Sequence, residues 1–337
     1  MVDVEVVGLD LARSVFQVHG VDAAGGVVIR RQLLRSQVLS FFRASRPCLV
    51  EMEACASAHH WGRELAAMGH EVRLMPPACV KAYVKRGKTD AADAEAIAEA
   101  VTRPTMRFVA AKSQEQQAAL MLHKTRDLFI RHRTMLINAL RGHLHEFGVV
   151  VAKGASGAKK AVAVVSDDTE ELPALARASL RAPAGQLATL EAEIAGLERR
   201  ILAWHRANET SRRLATIPGV GPITATAIAA SVPDPSQFRS GWQFATWLGP
   251  TPRACSSGGK ERQAGISKMG DGYIRRLPVV GATAMLRIFR QRGGGAWITA
   301  LMIRKKPKAA AVALANKTAR IAWALMARGE EYGPTPA

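Results

Sequence analysis

The chain has 337 residues, enough for about two domains that each have a hydrophobic core. Its 47 Lys and Arg residues outnumber its 28 Asp and Glu residues, which gives a net charge of +19 at pH 7. This surplus favours nucleic acid as a partner over a membrane surface, and no run of about 18 uncharged apolar residues exists that would predict a membrane-spanning helix.

The N-terminus carries the acids Asp3 and Glu5 and lacks the basic start and apolar run of a signal peptide. The four cysteines show no C-x-x-C spacing, so neither a zinc knuckle nor a disulfide framework is expected; they are Cys48, Cys55, Cys79 and Cys255. We therefore expect a cytoplasmic protein with reduced thiols.

Strand-like and helix-like patterns alternate over residues 1–105, which predicts a mixed α/β domain. Apolar runs predict strands at residues 4–9, 15–21, 27–34, 47–52 and 71–75. Helical periodicity and end signals predict helices at residues 37–44, 58–68 and 90–101.

Residues 106–210 are predicted to form a helical region for nucleic-acid contact and oligomerisation. A long amphipathic helix at 113–147 carries a basic set that we expect to follow a phosphate backbone: Lys124, Arg126, Arg131, Arg133 and Arg141. The alternative is a solvated helix packed on a neighbour. Residues 148–182 are interpreted as a connector with short helices.

A short coiled-coil seam is predicted from apolar residues in 3-4-3-4-3 spacing between Leu187 and Trp204. Because the seam has fewer than about four heptads, it fits either dimerisation or an intramolecular helical hairpin.

A second domain, helical and basic, is predicted at residues 211–330. Within it, residues 214–225 predict a helix, a tight turn and a second helix, the signature of a helix-hairpin-helix. Gly219 and Gly221 would bring backbone N–H groups and a helix N-terminus close to a phosphate without reading bases. An ordinary helical hairpin is the alternative.

A glycine-rich loop follows, in which Ser256 and Ser257 stand before a glycine pair and Lys260, with Lys268 further on. A serine needs a base or a metal to act as a nucleophile, and no G-x-S-x-G elbow is present. The spacing does not fit a P-loop, so ATP is not expected. The pattern alone indicates a phosphate-binding loop more than a catalytic one.

Four acids in order predict a metal site for phosphoryl transfer: Asp10, Glu53, Asp90 and Asp93. The first two end predicted strands, and the last two lie three apart on one helix, where both can face the strand ends. Carboxylate ligands suit two Mg²⁺ or Mn²⁺ ions.

Each acid also has a structural alternative. Asp90 or Thr89 would serve as a helix cap, and Asp93 with Glu95 would complement the helix dipole. Glu51 could replace Glu53, since the strand could end at either residue.

Together these segments resemble the DEDD transposases of the insertion-sequence one-ten family. The residues that carry the resemblance are Gly8-Leu9-Asp10, Met52-Glu53-Ala54 and the segments 88–94, 217–222, 256–260 and 265–268. The resemblance implies a RuvC-like, RNase H-like N-terminal domain in which Asp10, Glu53, Asp90 and Asp93 are the metal ligands. It also implies a nucleophilic serine, which maps to Ser256 with Ser257 as the alternative.

The family resemblance further implies a recombinase guided by a structured bridge RNA, working as a dimer or tetramer on donor and target DNA. The serine would form a phosphoserine link, and the basic segment 304–308, with Lys305 and Lys306, would hold nucleic-acid backbone. Two rivals remain: a RuvC-like nuclease that hydrolyses junctions without a serine, and a non-catalytic helix-hairpin-helix binding protein.

Overall fold

A computed structural model describes residues 4–77, 90–101, 108–167, 172–255, 260 and 262–333. The chain groups into two units, Met1–Gln117 with Ala230–Arg239, and Ala118–Ala229 with Ser240–Ala337. The division into three domains at 1–105, 106–210 and 211–330 stays a prediction. Within the described ranges, no helix has the length and apolar character needed to cross a membrane.

The first unit contains a five-stranded mixed sheet, and this confirms the α/β prediction. Its strands are β1 (Val6–Asp10), β2 (Val15–Val21), β3 (Val27–Leu34), β4 (Leu49–Glu53) and β5 (Glu71–Met75). The spatial order is β3-β2-β1-β4-β5. Strand β2 is antiparallel to β1 and β3, whereas β1, β4 and β5 are mutually parallel.

The described part of this unit includes three α-helices: α1 (Val38–Ala44), α2 (Ala58–Ala67) and α3 (Asp90–Val101). One face of the sheet forms the hydrophobic core with α1 and α2. Val7 and Leu9 of β1 belong to this core, as do Trp61 and Leu65 of α2. Because side chains alternate along a strand, the residues between them face the opposite side of the sheet.

From Gln114 onward the described chain is mainly helical, as predicted, apart from one short β-hairpin. The helices are α4 (Gln114–Glu146), α5 (Ala155–Ser166), α6 (Ala174–Ala207), α7 (Glu209–Ala215), α8 (Pro222–Ser231), α9 (Gly241–Leu248), α10 (Gly272–Arg292), α11 (Ala296–Arg304) and α12 (Pro307–Arg328). The hairpin strands are β6 (Pro252–Ala254) and β7 (Gln263–Ile266).

Helix α6 begins earlier than predicted. It starts at Ala174 and continues through Pro183, so part of the expected connector at 148–182 is helical. Leu180 and Leu187 are buried with Leu140 and Leu144 of α4 in one core cluster. This burial outweighs the cost of a proline inside a helix.

The predicted coiled-coil seam is mostly buried within the chain. Four of its six residues, Leu187, Ile194, Leu197 and Ile201, are less than a tenth exposed in a single copy, and Leu190 and Trp204 are half-buried. This burial favours the intramolecular hairpin over the dimer as the use of the seam. Self-association stays a prediction.

Candidate functional site

Asp10 and Glu53 stand at the carboxyl ends of two adjacent parallel strands. Leu9 of β1 pairs with Met52 of β4, so the next residue on each strand is an acid. Neighbouring strands lie about 4.8 Å apart. Both acids are half-buried. The structure therefore brings this predicted pair together, side by side at the edge of the sheet.

Helix α3 packs directly on the face of the sheet that carries these acids. A Cβ atom built on Gly8 would lie 2.3 Å from the carbonyl oxygen of Ala94 and 2.8 Å from the backbone nitrogen of Ala98. Only glycine allows this approach, because both neighbours are backbone atoms. Asp10 follows Gly8 by two residues and so faces the same helix.

Asp93 lies on the sheet-facing side of α3. It directly precedes Ala94, and it shares a helix face with Ala96 and Ile97, which are both buried. Asp93 itself is half-buried. Asp90 begins the helix one turn earlier, and its side chain lies outside the described residues. Asp10, Glu53 and Asp93 are thus on one face of the sheet.

The donor chemistry of this face fits a hard divalent cation, because carboxylate oxygens are the ligands that Mg²⁺ and Mn²⁺ prefer. Among the described side chains, which exclude that of Asp90, no three His, Cys, Asp or Glu residues are close enough to hold a metal ion. Asp10, Glu53 and Asp93 therefore share a face without forming a ligand cluster by themselves, and the four-acid metal site stays a prediction.

Glu51 is a buried acid that sequence reasoning considered only as a substitute for Glu53. It is 0% exposed, and neither carboxylate oxygen has a hydrogen-bond partner among the described residues. Burial raises the pKa of Glu51 to about 8, partly offset by the charge of Arg73 on β5. Since Glu51 lies in the middle of β4 and Glu53 at its end, Glu53 is the better placed to reach a ligand.

The predicted nucleophiles Ser256 and Ser257 lie outside the described residues. In the sequence they fall between β6 and β7. The backbone N–H of Cys255, which precedes them, donates to the carbonyl of Arg262 at 2.8 Å. Lys260 is exposed. Lys268 is also exposed and adopts a positive φ of 57°. The residues on either side of the serine segment, Cys255 and Arg262, are therefore joined by a backbone hydrogen bond.

The two glycines of the helical hairpin between α7 and α8 have different environments. Gly219 has a φ of 84° and packs on α10, where a Cβ built on Gly281 would lie 2.0 Å from the Gly219 carbonyl oxygen. Gly221 is exposed, and a Cβ there would meet no atom within 4 Å. Close packing against α10 explains why position 219 is a glycine. At Gly221, by contrast, the backbone is accessible to a ligand.

The basic residues predicted to bind nucleic acid differ in exposure, and the exposed Arg131 also lies 3.7 Å from the Asp127 carboxylate. Arg126 donates to the Glu198 carboxylate at 2.6 Å, and Arg141 donates to the Val151 carbonyl at 3.1 Å. Arg133 is half-buried. The exposed members are Lys124, Arg131, Lys305 and Lys306. The exposed group is the better placed to meet a phosphate backbone.

A buried hydrogen-bonded chain in the second unit was missed by sequence reasoning. The His123 Nε2 lies 2.8 Å from the Thr226 hydroxyl, and its Nδ1 lies 2.9 Å from the Tyr273 hydroxyl. Thr226 donates to the carbonyl of Pro222 at 2.8 Å, so His123 donates from Nε2 and accepts from Tyr273 at Nδ1. Burial, with the charge of Arg126, lowers the pKa of His123 to about 4.

Two family models match the chain. The model described as "Transposase IS116/IS110/IS902 family" matches residues 211–293. The model of the DEDD transposases of IS110, described as "Transposase", matches residues 7–149. The two matches fall on the helical hairpin with the serine loop and on the acid-bearing sheet.

Three relatives are similar over nearly the whole chain. The "Probable family 20 transposase" of Pseudomonas aeruginosa is 50% identical over 332 residues, which cover 97% of this chain and 98% of that protein. The transposase for insertion sequence element IS1111A of Coxiella burnetii is 40% identical, with 98% and 92% covered. The transposase for insertion sequence element IS1328 of Yersinia enterocolitica is 36% identical, with 98% and 99% covered.

Proposed function

Since this chain belongs to the IS110 family of transposases, we propose that it is a bridge-RNA-guided recombinase that cuts and rejoins donor and target DNA through a serine nucleophile. The observation that carries the proposal is the acid pair Asp10 and Glu53. These residues lie side by side at the ends of β1 and β4, on the face of the sheet that α3 covers. Paired carboxylates in a strongly basic chain suit phosphoryl transfer on nucleic acid.

The first unit is proposed to have a RuvC-like, RNase H-like fold. Its support is the strand order β3-β2-β1-β4-β5 with β2 antiparallel to its neighbours, together with the acids at the ends of β1 and β4. The carboxyl ends of parallel strands meet at one edge of a sheet, where acids from different strands can act together.

Asp10, Glu53, Asp90 and Asp93 would hold two Mg²⁺ or Mn²⁺ ions. Such ions, when bound, activate the attacking oxygen and stabilise the departing one. The chain's own contribution is rigidity, because Asp10 and Glu53 sit on hydrogen-bonded strands. The close approach of Ala94 to Gly8 fixes the distance of α3 from the sheet. It thereby also fixes how far Asp93 lies from Asp10 and Glu53.

The hydroxyl of Ser256 or Ser257 would attack a DNA phosphodiester. A serine–phosphate bond forms as the phosphate–DNA oxygen bond breaks, and the departing DNA oxygen takes up a proton in exchange for the one the serine loses. Attack by a DNA hydroxyl on the phosphoserine reverses this step on a new strand. Because the energy of the broken phosphodiester bond is kept in the serine–phosphate bond, no ATP is required.

Nucleic acid would be held through its phosphates. The backbone at Gly221 and the start of α8 are accessible for a phosphate, as expected of a helix-hairpin-helix. Further binding free energy, which depends on salt concentration, would come from the exposed cations Lys124, Arg131, Lys305 and Lys306. Sequence choice would come from pairing with the bridge RNA rather than from side chains.

Self-association to a dimer or tetramer is part of the proposal. Its support is a stripe on α4 formed by Met121, Leu128 and Met135, which are seven residues apart and 67%, 38% and 67% exposed. Seven-residue spacing of exposed apolar side chains is typical of a helix that pairs with another helix.

A covalent-trapping assay tests the proposed reaction. Purified protein, the RNA of its element and labelled donor DNA would be incubated with Mg²⁺ and run on a denaturing gel. We expect a protein–DNA adduct that is lost in Asp10→Asn and in one of Ser256→Ala and Ser257→Ala. Nicked DNA without an adduct, unchanged by both serine substitutions, would instead support the hydrolytic junction nuclease.

A further inference from the structure

A small apolar pocket lies beside the helical hairpin of the second unit. Its volume is about 110 Å³, and it lies among the turn after α7, helices α10, α11 and α12, and the C-terminal segment. Pockets for drug-sized ligands measure about 300–1,000 Å³, so this one has room for a single ring system. Its described lining residues are Ile217, Pro218, Met285, Phe289, Trp297, Ile298, Leu314, Lys317, Thr318, Ile321 and Tyr332.

Aromatic rings form much of the wall. Phe289, Trp297 and Tyr332 all line the pocket, and the Trp297 side chain remains 41% exposed. The ammonium group of Lys317 lies 4.3 Å from the centroid of the Trp297 ring, as in a cation–π contact. Lys317 is the one charged residue among the described lining residues.

Thr318 gives the pocket a polar group. The residue is only 6% exposed and lines the pocket. A hydroxyl in a mostly apolar pocket suits a ligand with a polar edge, because an apolar ligand would cover that hydroxyl without a hydrogen bond.

The pocket adjoins the chain segment that leads into the predicted phosphate contact. Ile217 and Pro218 line it and directly precede the turn at Gly219–Gly221. On the other side, the backbone N–H of Tyr332 donates to the Thr216 hydroxyl at 2.9 Å, which holds the aromatic wall against the end of α7. A nucleotide bound by its phosphate at Gly221 would therefore have its base next to this pocket.

We propose that this pocket receives one unstacked nucleobase of the nucleic-acid strand held by the helical hairpin. The base would stack on the Trp297 ring, and its polar edge would pair with the Thr318 hydroxyl. Lys317 would stay close to the adjoining phosphate. The inference rests on the proposed nucleic-acid function and adds a base contact to it.

A nucleobase fits the pocket better than an apolar side chain from another protein. A leucine or phenylalanine would leave the Thr318 hydroxyl unpaired, whereas every base carries hydrogen-bonding groups on its edge. A positive charge without a described carboxylate in the lining also favours a ligand joined to a phosphate.

The test compares the full-length protein with two pocket variants and one control. Trp297→Leu removes the stacking surface, and Thr318→Val removes the hydroxyl at nearly constant shape. Trp242→Leu is the matched control, because Trp242 is 57% exposed and does not line the pocket. Each protein is titrated with a mixed-sequence single-stranded 15-mer and with an abasic oligonucleotide of the same length.

We expect Trp297→Leu to weaken binding of the 15-mer by roughly 5- to 100-fold and to leave binding of the abasic strand unchanged. Thr318→Val should weaken only the base-bearing strand, by roughly two- to tenfold, with an unchanged melting temperature. Photocrosslinking of a 5-bromodeoxyuridine strand should label the peptide that contains Trp297 or Tyr332.

The pocket proposal would be overturned if the variants lost equal affinity for both strands, or if neither pocket variant lost affinity. In either case, normal binding by the wild type would leave the proposed nucleic-acid function standing. Crosslinks confined to peptides outside the pocket would overturn the pocket proposal too. If Trp297→Leu changes the sedimentation of the protein and not its base preference, the occupant is a second copy of the chain. A wild type that binds neither strand would reject both the pocket and the nucleic-acid function.

Discussion

Glu51 pairs in register with Gly8 on the neighbouring parallel strand, at the place where α3 touches the sheet. The absence of a side chain at Gly8 lets the helix approach, and this approach covers Glu51 completely. A carboxyl group is thus sealed inside the unit two residues before Glu53. One strand therefore carries two acids with different environments, one enclosed and one at the sheet edge.

The first prediction follows from the raised pKa of Glu51. With a pKa of about 8 in the folded protein and 4.5 as its ordinary value, the folded state binds more protons between these pH values. Stability should therefore fall as pH rises from 4.5 to 8, by up to about 1.4 kcal/mol per pH unit. Glu51→Gln should remove this fall and stabilise the protein at pH 8, measured by chemical unfolding at pH 5 and pH 8.

Glu53→Gln is the matched control for that experiment. It should abolish adduct formation in the trapping assay, whereas Glu51→Gln should retain it, because only Glu53 is placed to reach a metal. If Glu53→Gln still formed the adduct and Glu51→Gln did not, Glu51 rather than Glu53 would be the metal ligand.

The second prediction separates the glycines of the helical hairpin. Gly281→Ala should destabilise the second unit by about 1–3 kcal/mol, since the new methyl group would meet the Gly219 backbone. Gly221→Ala has free space and should leave the melting temperature nearly unchanged. If Gly221 contacts a phosphate, its substitution should weaken DNA binding. Equal melting temperatures for both variants would contradict the packing explanation.

The third prediction concerns His123. Its pKa is about 4 in the folded protein and 6.5 as the ordinary value, so the unfolded chain binds more protons between these limits. Stability should decrease as pH falls from 6.5 to 4. His123→Gln should be less stable at pH 7 and should show a shallower decrease in acid, followed by urea unfolding at several pH values. A parallel decrease in both proteins would mean that other groups titrate instead.

The fourth prediction concerns the exposed lysines between α11 and α12. Replacing both Lys305 and Lys306 with Ala should weaken DNA binding to a similar extent across sequences. The slope of log affinity against log salt concentration should also fall by about one for each lost phosphate contact. Replacement of Lys153, an exposed lysine before α5, is the control. Unchanged slopes in the double variant would remove this segment from the interface.

The local patterns of the sequence predicted most elements of the fold. Strands β2, β3 and β5 and helix α3 occur at their predicted bounds, because alternation, helical periodicity and turn residues act over a few neighbouring positions. The seam after Leu187 was also recognised as apolar. The core contact of its first residue, Leu187, was not predictable, since Leu140 and Leu144 of α4 lie about 40 residues away and their contact depends on the path of the chain.

The sequence by itself determined where the acids stand relative to strands and helices, and it determined the basic charge that favours nucleic acid. Only the tertiary structure decided which acid is enclosed, which hairpin glycine packs on α10, and that His123 meets Tyr273. The reason is physical: secondary structure is encoded by near neighbours, whereas burial, backbone contact and pKa depend on segments that are distant in sequence and meet only when the chain folds.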